Sequence, residues 1–178
     1  KTLVRWMGPV RVRAFLENLI AIAKADAPRL PVAYANYPST EYLAPRNADF
    51  AAFNVFLERR DDLARYVRHL QVISEGKPLV ITEFGLDSKR HGEAAQAEGL
   101  RWEMEELRRA GAAGNFWFSY TDEWHRGGGD VTGWEFGIVT RERKPKQACA
   151  QLPNHSSFVI RHSSFVISAI VCTRNGAA

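Results

Sequence analysis

Hydrophobic and polar positions switch between two periods along the first 150 residues. Over 10–26 the apolar residues recur at helical spacing, and Phe15, Leu16, Leu19, Ile20 and Ala23 share one face. That pattern predicts an amphipathic helix, ended by Pro28 and Pro31. "VAYANY" at 32–37 is a continuous apolar run stopped by Pro38, and "DFAAFNVF" at 49–56 is a second. Both are predicted strands. Residues 61–74 read as a helix with Leu63, Tyr66, Val67, Leu70 and Ile73 inward. After Gly76 and Pro78, "LVITEF" at 79–84 is the third strand. Residues 93–110 form a long predicted helix with Leu100, Met104 and Leu107 inward. Arg108 and Arg109 in its last turn and Gly111 beyond suit a helix C-terminus. "NFWFSYT" at 115–121 is the fourth strand, and 144–152 a short closing helix.

Strands that are apolar on both faces, separated mostly by helices, are the pattern of a parallel sheet covered by helices. Two α/β architectures fit: an open doubly wound sheet and a (β/α)8 barrel. No glycine-rich phosphate loop follows any strand, which argues against a dinucleotide-binding version.

Residues 153–178 break the pattern. "HSSFVIR" at 155–161 is followed at once by "HSSFVIS" at 162–168. The repeat lacks helical periodicity, and Phe-Val-Ile in sequence does not suit coiled-coil positions. These runs are β-prone and aggregation-prone if exposed. Residues 1–152 are therefore expected to be the domain and 153–178 a tail outside the fold. His155 and His162, seven apart within a repeat, are not read as metal ligands.

Charge adds little. The chain carries a formal +4, of which Arg161 and Arg174 in the tail supply two, leaving about +2 for the rest. Basic residues are mixed with acids, as in "RRDDLAR", which describes a solvated helix face rather than a nucleic-acid surface. Cys149 and Cys172 form no framework, so the redox compartment stays open. No run reaches the roughly 18 apolar residues of a membrane span. No signal peptide is visible, but the chain begins at Lys1 rather than Met, so its start is not taken as native and the location is left open.

Chemistry in parallel α/β folds collects at the C-terminal ends of strands. Here those ends read Asn36-Tyr37, Asn54-Val55-Phe56, Glu83-Phe84-Gly85 and Ser119-Tyr120-Thr121-Asp122. Glu83 stands out, because a carboxylate ending a buried strand loses hydration unless it is paired. It is either a structural ion pair or a nucleophile for an electrophilic carbon such as a sugar's anomeric carbon. "TDEWHRGGG" places Asp122, Glu123 and His125 around Trp124, ahead of glycines that let a loop fold back over the rim. Two carboxylates and one histidine are a weak metal signature. An indole beside acids suits a sugar, the ring stacking on the indole while acids bind hydroxyls.

In order and spacing, "NYPSTEYL", "FNVF", "ITEFG" and "FSYTDEW…WEFGIVTRERKPKQA" resemble the C-terminal half of the catalytic barrel of family 2 glycoside hydrolases, the β-galactosidase and β-glucuronidase type. The resemblance covers residues 1–152 and implies strands five to eight of a TIM barrel. It implies retaining hydrolysis of an O-glycosidic bond in a β-glycoside, with Glu83 as nucleophile and no cofactor. Asn36, Asn54, Asp122 and Trp124 would line the sugar subsite, joined by the rim residues Tyr37 and Glu123. Where many members place an aromatic hydroxyl near the nucleophile, this chain has Phe56.

A retaining glycosidase needs a second carboxyl group about 5 Å from the first. In that family it follows an asparagine at the end of barrel strand four, which the resemblance places upstream of Lys1, with "KTLVRWMG" as the loop just downstream. Glu41 and Glu123 lie on other loops. The expectation is a chain inactive alone, with two open sheet edges and one uncovered core face, whose partner is the missing N-terminal half of the barrel. The alternatives are a non-catalytic carbohydrate-binding module, a barrel fused to a glycosyltransferase in polysaccharide metabolism, and an unrelated doubly wound protein.

Overall fold

The computed structural model describes residues 2–152 and the backbone of Ile167–Ser168. Helix α1 (Thr2–Met7) leads through Gly8 into helix α2 (Pro9–Asp26). Gly8 takes the left-handed φ of 77° that breaks the two apart, and Pro9 opens α2 where its missing N–H costs nothing. Residues 2–7, expected as a loop, are thus helical.

Strand β1 (Ala35–Asn36) follows, then a single 3-10 turn (Glu41–Leu43), β2 (Ala51–Asn54) and helix α3 (Arg60–Ile73). Strand β3 (Leu79–Phe84), a short helix α4 (Ser88–His91), helix α5 (Glu93–Arg109) and β4 (Gly114–Trp117) come next. A small hairpin of β5 (His125–Arg126) and β6 (Gly129–Asp130) precedes a closing 3-10 turn, Gln147–Gln151, where a helix is expected.

Strands β1 to β4 are parallel and in sequence order. Of the tail, Ile167–Ser168 (β7) runs parallel to Gly114–Asn115 at the outer side of β4. The rest of 153–178, with both histidines of the repeat, lies outside the described residues.

The core lies between the sheet and the α3–α5 layer. Leu63, Val67 and Leu70 of α3 and Leu100 and Leu107 of α5 pack on Phe53, Leu79, Ile81 and Phe84. Arg60 clamps the two helices, bonding Glu105 at 2.9 Å and Glu106 at 2.6 Å. Tyr66, Ile73 and Met104 pack at the margin of this core. Helix α2 departs from expectation. Only Val12 and Ile20 are buried, while Phe15 and Leu19 are 51% and 46% exposed. The helix packs chiefly on α1 and the 3-10 turn, and among the described residues its apolar stripe stays largely uncovered.

Strand β3 carries one extra residue relative to both neighbours. Phe53 pairs with Ile81 but Asn54 with Glu83; Asn115 pairs with Ile81 but Trp117 with Phe84. Alternation breaks there. Leu79, Ile81 and Phe84 are buried, while Val80, Thr82 and Glu83 are half-buried. The bulge takes Glu83 off the helix-covered face that strict alternation would give it.

Two polar residues fill core positions of α5. Gln96 and Glu103 are almost fully buried, and each has one side-chain oxygen without a hydrogen-bond partner. Burial pushes the Glu103 carboxyl up to about 8. Folding therefore retains a proton that the unfolded chain has lost between about pH 4.5 and 8, so stability falls as pH climbs through that window. Glu103→Met removes the buried acid at similar volume. Thermal unfolding is expected to show stabilisation on the order of 3 kcal/mol greater at pH 8 than at pH 4. Equal effects at both pH values would rule this out.

Candidate active site

Glu83 ends β3 with its half-buried carboxyl beside Asn54. The Thr82 hydroxyl donates to Asn54 Oδ1 at 2.7 Å, which leaves the Asn54 amide nitrogen to donate to Glu83. Burial raises the Glu83 carboxyl above the ordinary glutamate range, and the Asn54 hydrogen bond only partly opposes this. Among the described residues no cation pairs with Glu83. The structural ion-pair explanation thus lacks its partner here, while a carboxylate oriented by a neutral amide is a competent nucleophile.

An aromatic wall flanks this strand end. Phe118, just after β4, packs edge-on against Phe56 (5.8 Å between centroids), Phe136 (5.7 Å) and Trp124 (5.1 Å). Trp134 closes the group, 5.6 Å from Phe118 and 5.7 Å from Trp124. Gly85, two residues past Glu83, lies beneath it. A Cβ there would sit 2.5 Å from the Phe118 carbonyl oxygen and 3.4 Å from the Phe136 ring. Only glycine permits this approach.

The wall is held by hydrogen bonds from two loops. Ser88 N donates to Glu135 O at 2.9 Å, and Glu135 N to the Asp87 carboxylate at 2.8 Å. On the other side Ser119 N donates to Phe136 O at 3.0 Å, and Trp117 Nε1 to the same oxygen at 3.2 Å. Trp134 and Phe136 are thereby pinned between the ends of β3 and β4.

The other sequence candidates separate. Asp122 is buried and accepts from Gly137 N at 2.8 Å and from Lys146 Nζ at 2.7 Å. Lys146 is equally buried and also donates to Ser88 Oγ at 2.8 Å. Glu123 is exposed and pairs with Arg143; His125 pairs with Asp130 across the hairpin at 2.7 Å. The polar cluster expected around Trp124 is therefore three separate contacts. Among the described residues no group of His, Cys, Asp and Glu is placed to hold a metal ion.

Asn36 is buried in its own turn. Its Oδ1 accepts from Tyr37 N at 2.9 Å and from the Thr40 hydroxyl, and its Nδ2 donates to Thr40 O at 2.9 Å. Tyr37 is exposed beside it. Glu41 accepts from the Tyr66 hydroxyl at 2.5 Å. The structure thus joins Glu83 with Asn54 and Trp124 with the aromatic wall. Thr82 and Lys146 carry no functional signal in the sequence. Nothing in "KPKQA" marks Lys146 as buried, and the aromatics two apart in "WEFG" are the one sequence signal that could have pointed to the wall's Trp134 and Phe136.

No protein-family model and no curated protein sequence matches the chain. Among solved structures it is similar to a glycoside hydrolase family 17 β-1,3-glucanosyltransferase from Rhizomucor miehei, with a TM-score of 0.57 at 18% identity. The match covers 78% of this chain and 56% of that one. At that identity the likeness shows the fold. The chain has the parallel strands and covering helices of part of a TIM barrel.

Breaking one partner of a buried ion pair strands the other charge. Lys146→Met is expected to cost about 3–5 kcal/mol in urea unfolding. Adding Asp122→Asn, which keeps an acceptor for Gly137 N, is expected to recover part of that loss. No recovery in the double variant would count against the pair as the source.

Proposed function

We propose that the chain is the nucleophile-bearing half of a retaining glycoside hydrolase of the family 2 type, acting on the O-glycosidic bond of a β-glycoside. The observation that carries this reading is Glu83 itself: a half-buried carboxyl at a parallel strand end, oriented by Asn54, with no cation paired to it among the described residues, beside a wall of five aromatic rings. The fold likeness to a glycoside hydrolase supports it.

In this reading the Glu83 carboxylate attacks the anomeric carbon as the bond to the leaving oxygen breaks, giving a covalent glycosyl-enzyme. A second carboxyl donates a proton to that oxygen and then takes one from the water that releases the sugar. A sugar hydroxyl in place of water would give transfer instead. The aromatic wall stacks on the apolar face of the sugar, and Asn54 holds both the nucleophile and a hydroxyl next to it.

Glu41 and Glu123 are engaged by Tyr66 and Arg143, so the acid/base role is assigned to a glutamate outside this sequence. It would sit on the first half of a barrel. Such a partner suits the open edge of β1 and the apolar residues exposed on α1 and α2, among them Trp6, Val10, Phe15 and Ile22. The chain spans only 56% of the solved structure it resembles.

A dinitrophenyl 2-deoxy-2-fluoro-β-glycoside departs without acid assistance and tests the nucleophile alone. Mass spectrometry is expected to find one fluoroglycosyl group on Glu83, and none on Glu83→Gln. Since only the carboxylate attacks, labelling should rise with pH about a midpoint above the usual glutamate value of about 4.3. Sugar binding without labelling would favour a non-catalytic carbohydrate-binding module. Robust turnover of an aryl β-glycoside by the purified chain would overturn the assignment of the acid/base elsewhere.

A further inference from the structure

The connection from β1 to β2 lacks a crossover helix. Strands β2 and β3 are joined through α3, and β3 and β4 through α5, but between Asn36 and Ala51 there is only the turn Glu41–Leu43. The sheet behind β1 and β2 is therefore not sealed. A cavity of about 530 Å³ remains there, walled by α2, the turn, β2 and the C-terminal half of α3. Glu83 and the aromatic wall do not line it. Its size falls within the range of small-molecule sites, about 300–1,000 Å³.

Its lining combines two chemistries. Tyr34, Tyr42 and Phe50 offer ring faces. Arg13, Arg46 and Lys77 bring three cations, and among the described residues none of them forms an ion pair. One Arg13 Nη donates to Tyr42 O, which fixes the guanidinium, while its Nε is buried with no hydrogen-bond partner. Lys77 Nζ donates to Arg46 O at 2.6 Å and retains two further N–H groups; it also feels the charge of Asp49.

Two acids border the cavity, Glu41 and Glu75. Burial disfavours the Glu41 carboxylate, but the Tyr66 hydroxyl, backbone N–H groups and the charge of His69 outweigh that, so it stays ionised and occupied. Glu75 is exposed at the edge. The donors left over, an orphaned guanidinium N–H and an ammonium, call for an anionic acceptor. The rings call for a flat or pyranose body beside it.

We infer that this cavity is a second binding site, for a sugar bearing one carboxylate or phosphate group. The acid would meet Arg13 and Lys77 and the ring would lie against Tyr34 and Tyr42. The choice of a sugar rests on the glycoside reading above; the choice of an anion does not.

Calorimetry on the 178-residue chain tests it with four probes: glucuronate, glucose 6-phosphate, glucose and inorganic phosphate. At least one acidic sugar is expected to bind, at least tenfold more tightly than glucose or inorganic phosphate, and which one binds separates carboxylate from phosphate. Arg13→Gln combined with Lys77→Gln should weaken it at least tenfold, and Tyr42→Ala should weaken it with both cations kept. Glu83→Gln should leave it unchanged, so a failed glycosidase reading and a failed second site are told apart. No binding of either acidic sugar, inorganic phosphate binding as tightly, indifference to both sets of variants, or loss in Glu83→Gln would each overturn the proposal.

Discussion

The site depends on one extra residue in β3. Strict alternation would set Glu83 on the same face as Leu79 and Ile81, against α3 and α5, where an unpaired carboxylate is costly. The bulge at Thr82 and Glu83 moves the acid off that face and lets Phe84 take the core position, edge-on to Trp117 at 5.4 Å. It also brings Asn54 opposite Glu83. Because β3 is paired on both sides, the displacement is fixed by two neighbours rather than one. The aim of the Glu83 carboxyl is thus a property of strand register, and the loops only add the wall.

That register was not legible in the sequence. "LVITEF" shows an apolar run ending on an acid, and the strand appears at its predicted bounds, but nothing in six letters reports a bulge. Helices α3 and α5 were legible because their apolar residues repeat at 3.6 and face a sheet. The stripe on α2 was equally regular, yet Phe15 and Leu19 stay exposed, since periodicity states which residues share a face and not whether anything covers it. Glu103 sits in the buried stripe of α5 between Leu100 and Leu107, and a charged letter there reads as surface. Asp122 drew notice as a rim acid, but its partner is 24 residues away, so the sequence could not separate an acid for a ligand from an acid for the fold.

Burial has opposite consequences for the two rim acids that are withdrawn from water. Asp122 meets Lys146 and the Gly137 N–H, and the ammonium in turn holds Ser88. One charge pair therefore ties the loop after β4 to the loop after β3. Gly137 is required at that junction, because a Cβ would come within 2.4 Å of Asp122 N. The same two loops pin Trp134 and Phe136 beside Phe118. The aromatic surface is accordingly held by loops that a buried ion pair ties together.

Among the described residues Glu83 has no such partner, and this would suit it to the attack proposed for it. A guanidinium or ammonium beside it would hold the carboxylate firmly in the ground state and lower its basicity. Asn54 orients it with a neutral dipole instead, and burial leaves its charge poorly compensated, which is why its proton is held more tightly than usual. The positive charge that develops at an anomeric carbon in an oxocarbenium-like transition state would supply the missing counterion. Stabilisation that arrives only there lowers the barrier, whereas a resident cation would have stabilised the starting carboxylate as well. Among the described residues, the lack of a cation at Glu83 and the presence of one at Asp122 thus divide the rim between a carboxyl suited to the proposed attack and a group held fixed.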